Sequence, residues 1–127
     1  MADHPRLHAM LTVTGAFRVA ELDELLGTVG RSTSGNDNDG RGWWTLEAKS
    51  EGVDWPGLLE QVIQPFRDRL TEYAGFRDLH GLEAQALLVA YMSSSTPIGS
   101  FTATQVSDLA CIGCSLEVDL YCDPPGS

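Results

Sequence analysis

Cys111 and Cys114 are separated by two residues, the spacing of dithiol redox sites and of half a zinc knuckle. A redox pair of this kind opens a helix, whose N-terminal dipole stabilises the thiolate. Here Val106, Leu109 and Ala110 mark a helix that the pair closes, with Gly113 as its C-cap. That end of a helix disfavours an anion, so the sequence argues against redox catalysis. A zinc site would need Cys122 and one of His4, His8 or His80 as well, but a knuckle uses two close cysteine couples and only one is present. Cys122 falls in line with the inward residues of the last strand and behaves as a small hydrophobe. The three cysteines are therefore expected to be structural, with no metal and no cofactor.

Asn36-Asp37-Asn38-Asp39-Gly40 resembles a calcium loop. With Gly40 at the sixth EF-hand position, the first is Gly35 and the twelfth Leu46, and neither supplies a side-chain oxygen. Ser32, Ser34 and Ser93 to Ser95 stand in loops, without the strand-turn-helix elbow of a serine nucleophile. The histidines have no carboxylate at a telling spacing, and the glycine-rich stretch 35–42 lacks the lysine and helix of a phosphate loop. No catalytic constellation assembles, and the sequence points away from an enzyme.

What remains is surface chemistry. Trp43, Thr45 and Glu47 share one side of a strand, and Glu117, Asp119 and Tyr121 one side of another. Aromatic groups among carboxylates suit protein binding, so these six residues form the candidate surface. The competing reading of Trp43 is that a neighbouring loop or a dimer mate covers it. Eighteen acidic against eight basic residues give a net charge of −10. A field of that sign repels phosphate backbones and anionic headgroups, which argues against nucleic-acid and membrane partners. It fits a basic protein partner, or simple solubility.

The elements that would position these residues follow from periodicity. Leu7, Ala9, Leu11 and Val13 alternate with His8, Met10, Thr12 and Thr14 in a half-buried strand ending at Gly15. Val19, Leu22, Leu25 and Leu26 then fall on one helical face, capped by Gly27. Thr28 to Gly42 shows no periodicity and is expected to be a mobile surface loop. Alternation over Trp43–Lys49 gives a second strand, with Trp44, Leu46 and Ala48 inward. Asp54 can cap a helix starting at Trp55-Pro56 and bearing the stripe Leu59, Val62, Ile63, Phe66, Leu70 and Tyr73. At Pro65 either the helix kinks or one helix ends at Gln64 and another starts at Pro65. The stripe stays in phase across the proline, which favours one kinked helix, followed by an irregular stretch between Gly75 and Gly81. Ala84–Met92 is apolar on both faces, as interior strands are. A turn-rich loop covers Ser93–Ser100, and Thr102 with Gln105 forms a capping box for the helix that Gly113 ends. In the last strand Leu116, Val118, Leu120 and Cys122 alternate with Ser115, Glu117, Asp119 and Tyr121, and residues 123–127 should fray.

The expected fold is α+β: a two-layer, four-stranded mixed or antiparallel sheet with helices packed on one face, in the order βαβαβαβ. At 127 residues the chain fits a single domain, 1–127. No basic run precedes an apolar stretch in the first residues, and no apolar run reaches membrane-spanning length, so a cytoplasmic location is expected.

Three segments together resemble the bacterial family DUF4279, a domain of unknown function. They are the opening strand ending Thr12-Val13-Thr14-Gly15 with the helix ending Leu25-Leu26-Gly27, the run Gly42-Trp43-Trp44-Thr45-Leu46-Glu47, and the run from Ile112 to Tyr121. Pro65 departs from the family's uninterrupted middle helix. The resemblance implies the architecture and carries over no catalytic residue. The functional expectation is a non-enzymatic module, such as an immunity-type inhibitor, that binds a basic protein through the acidic, aromatic-bearing sheet face. The alternative is a small-molecule binder or small enzyme with a pocket between the sheet and the Thr28–Gly42 loop, where Trp43 stacks on a ligand and Glu47 is acid or base. A homodimer through the sheet face or an edge strand is also expected.

Overall fold

The computed structural model describes residues 6–51, 55–92 and 101–122, apart from the side chains of residues 6, 50, 51, 55, 91, 92, 120 and 122. The expected roles of His4, Asp54, the loop 93–100 and the tail 123–127 lie outside these residues, as does the inward placing of the Cys122 side chain.

Alternation builds the first strand, β1 (Arg6–Gly15), whose residues Leu7, Ala9, Leu11 and Val13 are all buried. Helix α1 (Val19–Leu26) buries Leu22 and Leu26 and stops where Gly27 turns left-handed. Two strands follow, β2 (Thr33–Asn36) and β3 (Gly42–Glu51), then helices α2 (Trp55–Asp68) and α3 (Leu70–His80). Strand β4 (Glu83–Met92), helix α4 (Ala103–Ile112) and strand β5 (Cys114–Cys122) complete the described elements. The sheet order is β2-β3-β1-β4-β5, antiparallel except for the parallel pair β4 and β5. One sheet face, carrying Leu7, Leu11, Trp44, Leu46 and Leu88, shares a single core with Leu59, Val62, Ile63 and Phe66 of α2. Trp44, Phe66 and Tyr73 run through it edge to face, with ring centroids 5.5 and 4.9 Å apart. Among the described residues no helix is long and apolar enough to cross a membrane.

The fold is α+β with helices against one sheet face, as expected, but among the described residues the sheet has five strands and the order is βαββααβαβ. The extra strand comes from the segment expected to be a mobile loop. Thr33–Asn36 pairs with residues 42–45 of β3, and the turn between them is closed by the Asp37 carboxylate. Its Oδ1 accepts the N–H groups of Asp39 and Arg41, both at 2.9 Å. Asn36 also serves α1, whose N-cap Arg18 makes no side-chain capping hydrogen bond. Its Oδ1 accepts the Val19 N–H at 3.2 Å, and its Nδ2 donates to the Phe17 carbonyl at 2.6 Å.

The expected single kinked helix is two helices, and the break falls at Arg69 rather than Pro65. Pro65 lies buried within α2, while Arg69 takes the non-helical angles φ −132° and ψ 34°. Leu70 and Tyr73 still reach the core, from the second helix. The stretch expected to be irregular is instead the body of α3, which runs through Gly75 and ends where Gly81 turns left-handed.

Helix α4 has its capping box and buries Leu109 as expected, but the rest of its inward face is Gln105 and Ile112, while Val106 and Ala110 are exposed. Gln105 is turned in by its second task. While its Oε1 accepts the Thr102 N–H, its Nε2 donates to the Pro56 carbonyl at 2.7 Å and to Glu60 at 3.2 Å. Beside it Arg67 joins Glu60 of its own helix to Asp108 of α4, donating to Asp108 at 2.7 Å. Arg77 of α3 donates to the Cys111 and Ile112 carbonyls, both at 3.1 Å, and so satisfies the C-terminal end of α4. These contacts fix α4, and hence the start of β5, against the rest of the layer.

Candidate functional site

Residues opposite one another in a sheet share a face, so the register draws the surface that faces away from the helices. Four rows cross it. Trp43, Thr14 and Glu83 form the first, and Thr45, Thr12, Gln85 and Ser115 the second. Glu47, Met10, Leu87 and Glu117 form the third, and Lys49, His8, Val89 and Asp119 the fourth, with Tyr121 beyond. All six candidate residues lie on this one face. They do not form one cluster. Strands β3 and β5 are three spacings apart, about 14 Å, so Trp43, Thr45 and Glu47 sit at one side and Glu117, Asp119 and Tyr121 at the other. Between them run the half-buried Met10 and Leu87 and the buried Val89.

Glu47, Glu83 and Glu117 are exposed and Asp119 is half-buried. Lys49 is also on the face, with its Nζ 3.3 Å from Glu47. Gln85 donates to Glu117 at 3.5 Å, and the Thr12 and Thr45 hydroxyls meet at 3.0 Å. A shallow depression of about 290 Å³ opens among Thr12, Thr14, Glu83, Ala84, Gln85 and Ser115. It crosses β1, β4 and β5, on the far side of Trp43 from the 28–42 segment.

The two adjacent tryptophans take opposite roles. Trp44 is fully buried, and its indole N–H donates to Asp23 Oδ1 at 2.7 Å. That oxygen also accepts the hydroxyls of Thr28, at 2.8 Å, and Ser32. One carboxylate of α1 thereby ties down the core tryptophan and the chain leaving the helix. Trp43 is 46% exposed and its indole lies on Gly35 of β2, where an added Cβ would come within 3.0 Å of Cζ2. A large ring lying over a glycine covers the bare backbone of an edge strand. Sequence reading missed the Asp23 node. Its only signal was an aspartate three residues before the end of a short helix, with hydroxyl residues following. The Gly35 contact is visible only once β2 is seen to pair with β3.

Cys111 is exposed in the last turn of α4, and Cys114 opens β5 with its thiol donating to the Ser115 carbonyl at 3.4 Å. Burial pushes the Cys114 thiol up to about 12, so it holds its proton at neutral pH. Burial likewise pushes the Tyr73 hydroxyl up to about 12. His80 Nδ1 lies 3.2 Å from the Ala16 carbonyl, and its ring packs on Phe76. Among the described residues no three of His, Cys, Asp or Glu are grouped to hold a metal ion. The arrangement offers carboxylates and aromatic rings in two separated patches on one sheet face, and polar hydrogen-bonding groups in the depression.

Compared with protein-family models, curated proteins and solved structures, the chain gave no match.

Proposed function

We propose that this chain is a non-enzymatic protein-binding module that engages a basic partner through the sheet face opposite its helices. The observation that carries the reading is the composition of that face. Among the residues whose side chains are described, two half-exposed aromatic residues, Trp43 and Tyr121, stand among four carboxylates and one lysine already held by Glu47. Aromatic anchors flanked by charges that steer association fit a protein interface. The net charge of −10 favours a basic partner, in the manner of an immunity-type inhibitor in the cytoplasm. Membership of the DUF4279 family is proposed on the three sequence segments alone. The reading of a pocket beneath residues 28–42 has less support, since part of that segment is strand.

The test is affinity capture from the source cells, followed by titration of the recovered partner. A basic partner should bind, Asp119→Lys should weaken it at least tenfold, and Trp43→Ala should weaken it comparably. Recovery of no basic partner, or equal binding by wild type and both variants, would remove the proposal.

A further inference from the structure

Strand β5 is the long edge of the sheet, and both of its faces reach solvent. Leu116 and Val118 are 40% and 45% exposed on the helix side. Glu117 and Tyr121 are exposed on the other side and Asp119 is half-buried there. No described strand pairs with its outer edge, whereas the opposite edge of the sheet is the four-residue β2. Sheet edges with free backbone groups accept an added strand, and native edges are usually kept short or guarded by charges and proline. β5 is nine residues long, without proline, and carries charge on one face only.

We infer that β5 is a docking edge for an extended segment of a basic partner in which lysine or arginine alternates with apolar residues. The inference rests on the proposed function and names the form in which the partner binds. Backbone pairing would place each alternate residue of the segment opposite one residue of β5. Basic side chains would then meet Glu117 and Asp119, and apolar ones would cover Leu116 and Val118. The charge pattern speaks against a second copy of this chain. Two-fold antiparallel pairing keeps each face with its like. Centred on Glu117 it sets Glu117 against its own copy, centred on Val118 it sets Glu117 against Asp119, and centred on Asp119 it sets Asp119 against its own copy. Each of these central registers opposes two carboxylates at about 5 Å, which is destabilising.

The test titrates isotope-labelled protein with three synthetic peptides: Lys-Val-Lys-Val-Lys-Val-Lys, its isomer Val-Val-Val-Lys-Lys-Lys-Lys, and the alternating peptide methylated on every backbone nitrogen. The alternating peptide should shift the amide signals of residues 114–121. The isomer and the methylated peptide should bind at least tenfold more weakly, and Glu117→Lys combined with Asp119→Lys should abolish binding while circular dichroism stays unchanged. Shifts confined to the Trp43 and Glu47 side, equal for both isomers, would overturn the docking edge and leave the face as the basic-partner surface. Equal binding by the methylated peptide would overturn it too, because no backbone pairing is then involved. No shift with any peptide would overturn the docking edge, whereas the basic-partner reading falls only if capture recovers no basic partner or both variants bind as the wild type does. A dimeric mass with β5 amides protected from exchange would assign the edge to a second copy instead.

Discussion

Removing the Asp23 carboxylate should cost far more than its half-exposed position suggests, because three donors converge on one of its oxygens. In Asp23→Ala the Trp44 indole N–H is left unpaired inside the core. A stranded donor of this kind costs about 2 kcal/mol. The Thr28 hydroxyl, in a residue with no exposed surface, adds about 1 kcal/mol. Ser32 is half-buried and can turn to water, so its share is about 0.5 kcal/mol. The sum is about 3 to 4 kcal/mol, which at roughly 1.5 to 2 kcal/mol per molar moves the urea midpoint down by about 2 M. Asp23→Asn keeps an acceptor oxygen and should lose only about 1 kcal/mol. Urea unfolding followed by circular dichroism measures both. The cycle with Trp44→Phe isolates the indole bond, and a coupling of about 1 to 2 kcal/mol is expected. A loss below about 1 kcal/mol for the alanine variant, or additivity with Trp44→Phe, would refute the assignment of Asp23 as the node.

Acid should act through Glu60, whose carboxyl is held below its ordinary 4.5 chiefly by the hydrogen bond from Arg67. Burial opposes this, and the Gln105 hydrogen bond adds to the lowering by less than burial opposes it. The unfolded chain therefore takes up the proton first, so this stabilisation is complete above 4.5 and fades as pH falls through the lower folded value. Glu60 is 37% exposed. Solvent screening therefore keeps the contribution below about 1 kcal/mol, and the gap in stability between wild type and Glu60→Gln should close on acidification. A gap independent of pH in urea titrations would contradict the pairing. The cysteines should differ in reactivity. Brief iodoacetamide treatment at mildly alkaline pH should alkylate exposed Cys111 and spare Cys114, whose thiol is pushed up to about 12. Peptide mapping that finds Cys114 labelled first would contradict its burial.

Strands with apolar and polar residues in strict alternation were legible in the sequence. β1, β3 and β5 each carry such a run, and the parity of those runs put all six candidate residues on the correct side of the sheet. β2 was not legible, because Thr-Ser-Gly-Asn has little strand propensity. It is a strand because β3 supplies its hydrogen bonds, Trp43 covers its glycine and Asn36 is engaged at the start of α1. The division of α2 from α3 escaped for the opposite reason. Periodicity reports which residues face the core, and Phe66 and Leu70 face it from either side of a break. In α4 a buried glutamine inverted the polarity rule, since its amide finds partners on α2 that no local pattern announces. The same limit applies to the site. Parity fixed the face of each residue, but the distance between the two patches depends on strand order, and that is set by long-range pairing.

The place of β1 at the middle of the sheet has a consequence for the chain as it is synthesised. The first described strand to be made is the one that needs two neighbours, at residues 42–51 and 83–92. One flank of β1 stays bare until β3 has emerged, and the other until α2, α3 and β4 have followed. Closing so long a loop costs little more than closing a short one, because the entropy penalty grows only logarithmically with length. The hazard is time, during which an apolar strand stands with an open flank where other chains can pair with it. The last described strand to be made, β5, joins at the rim, where it covers the flank of β4 and leaves its own outward.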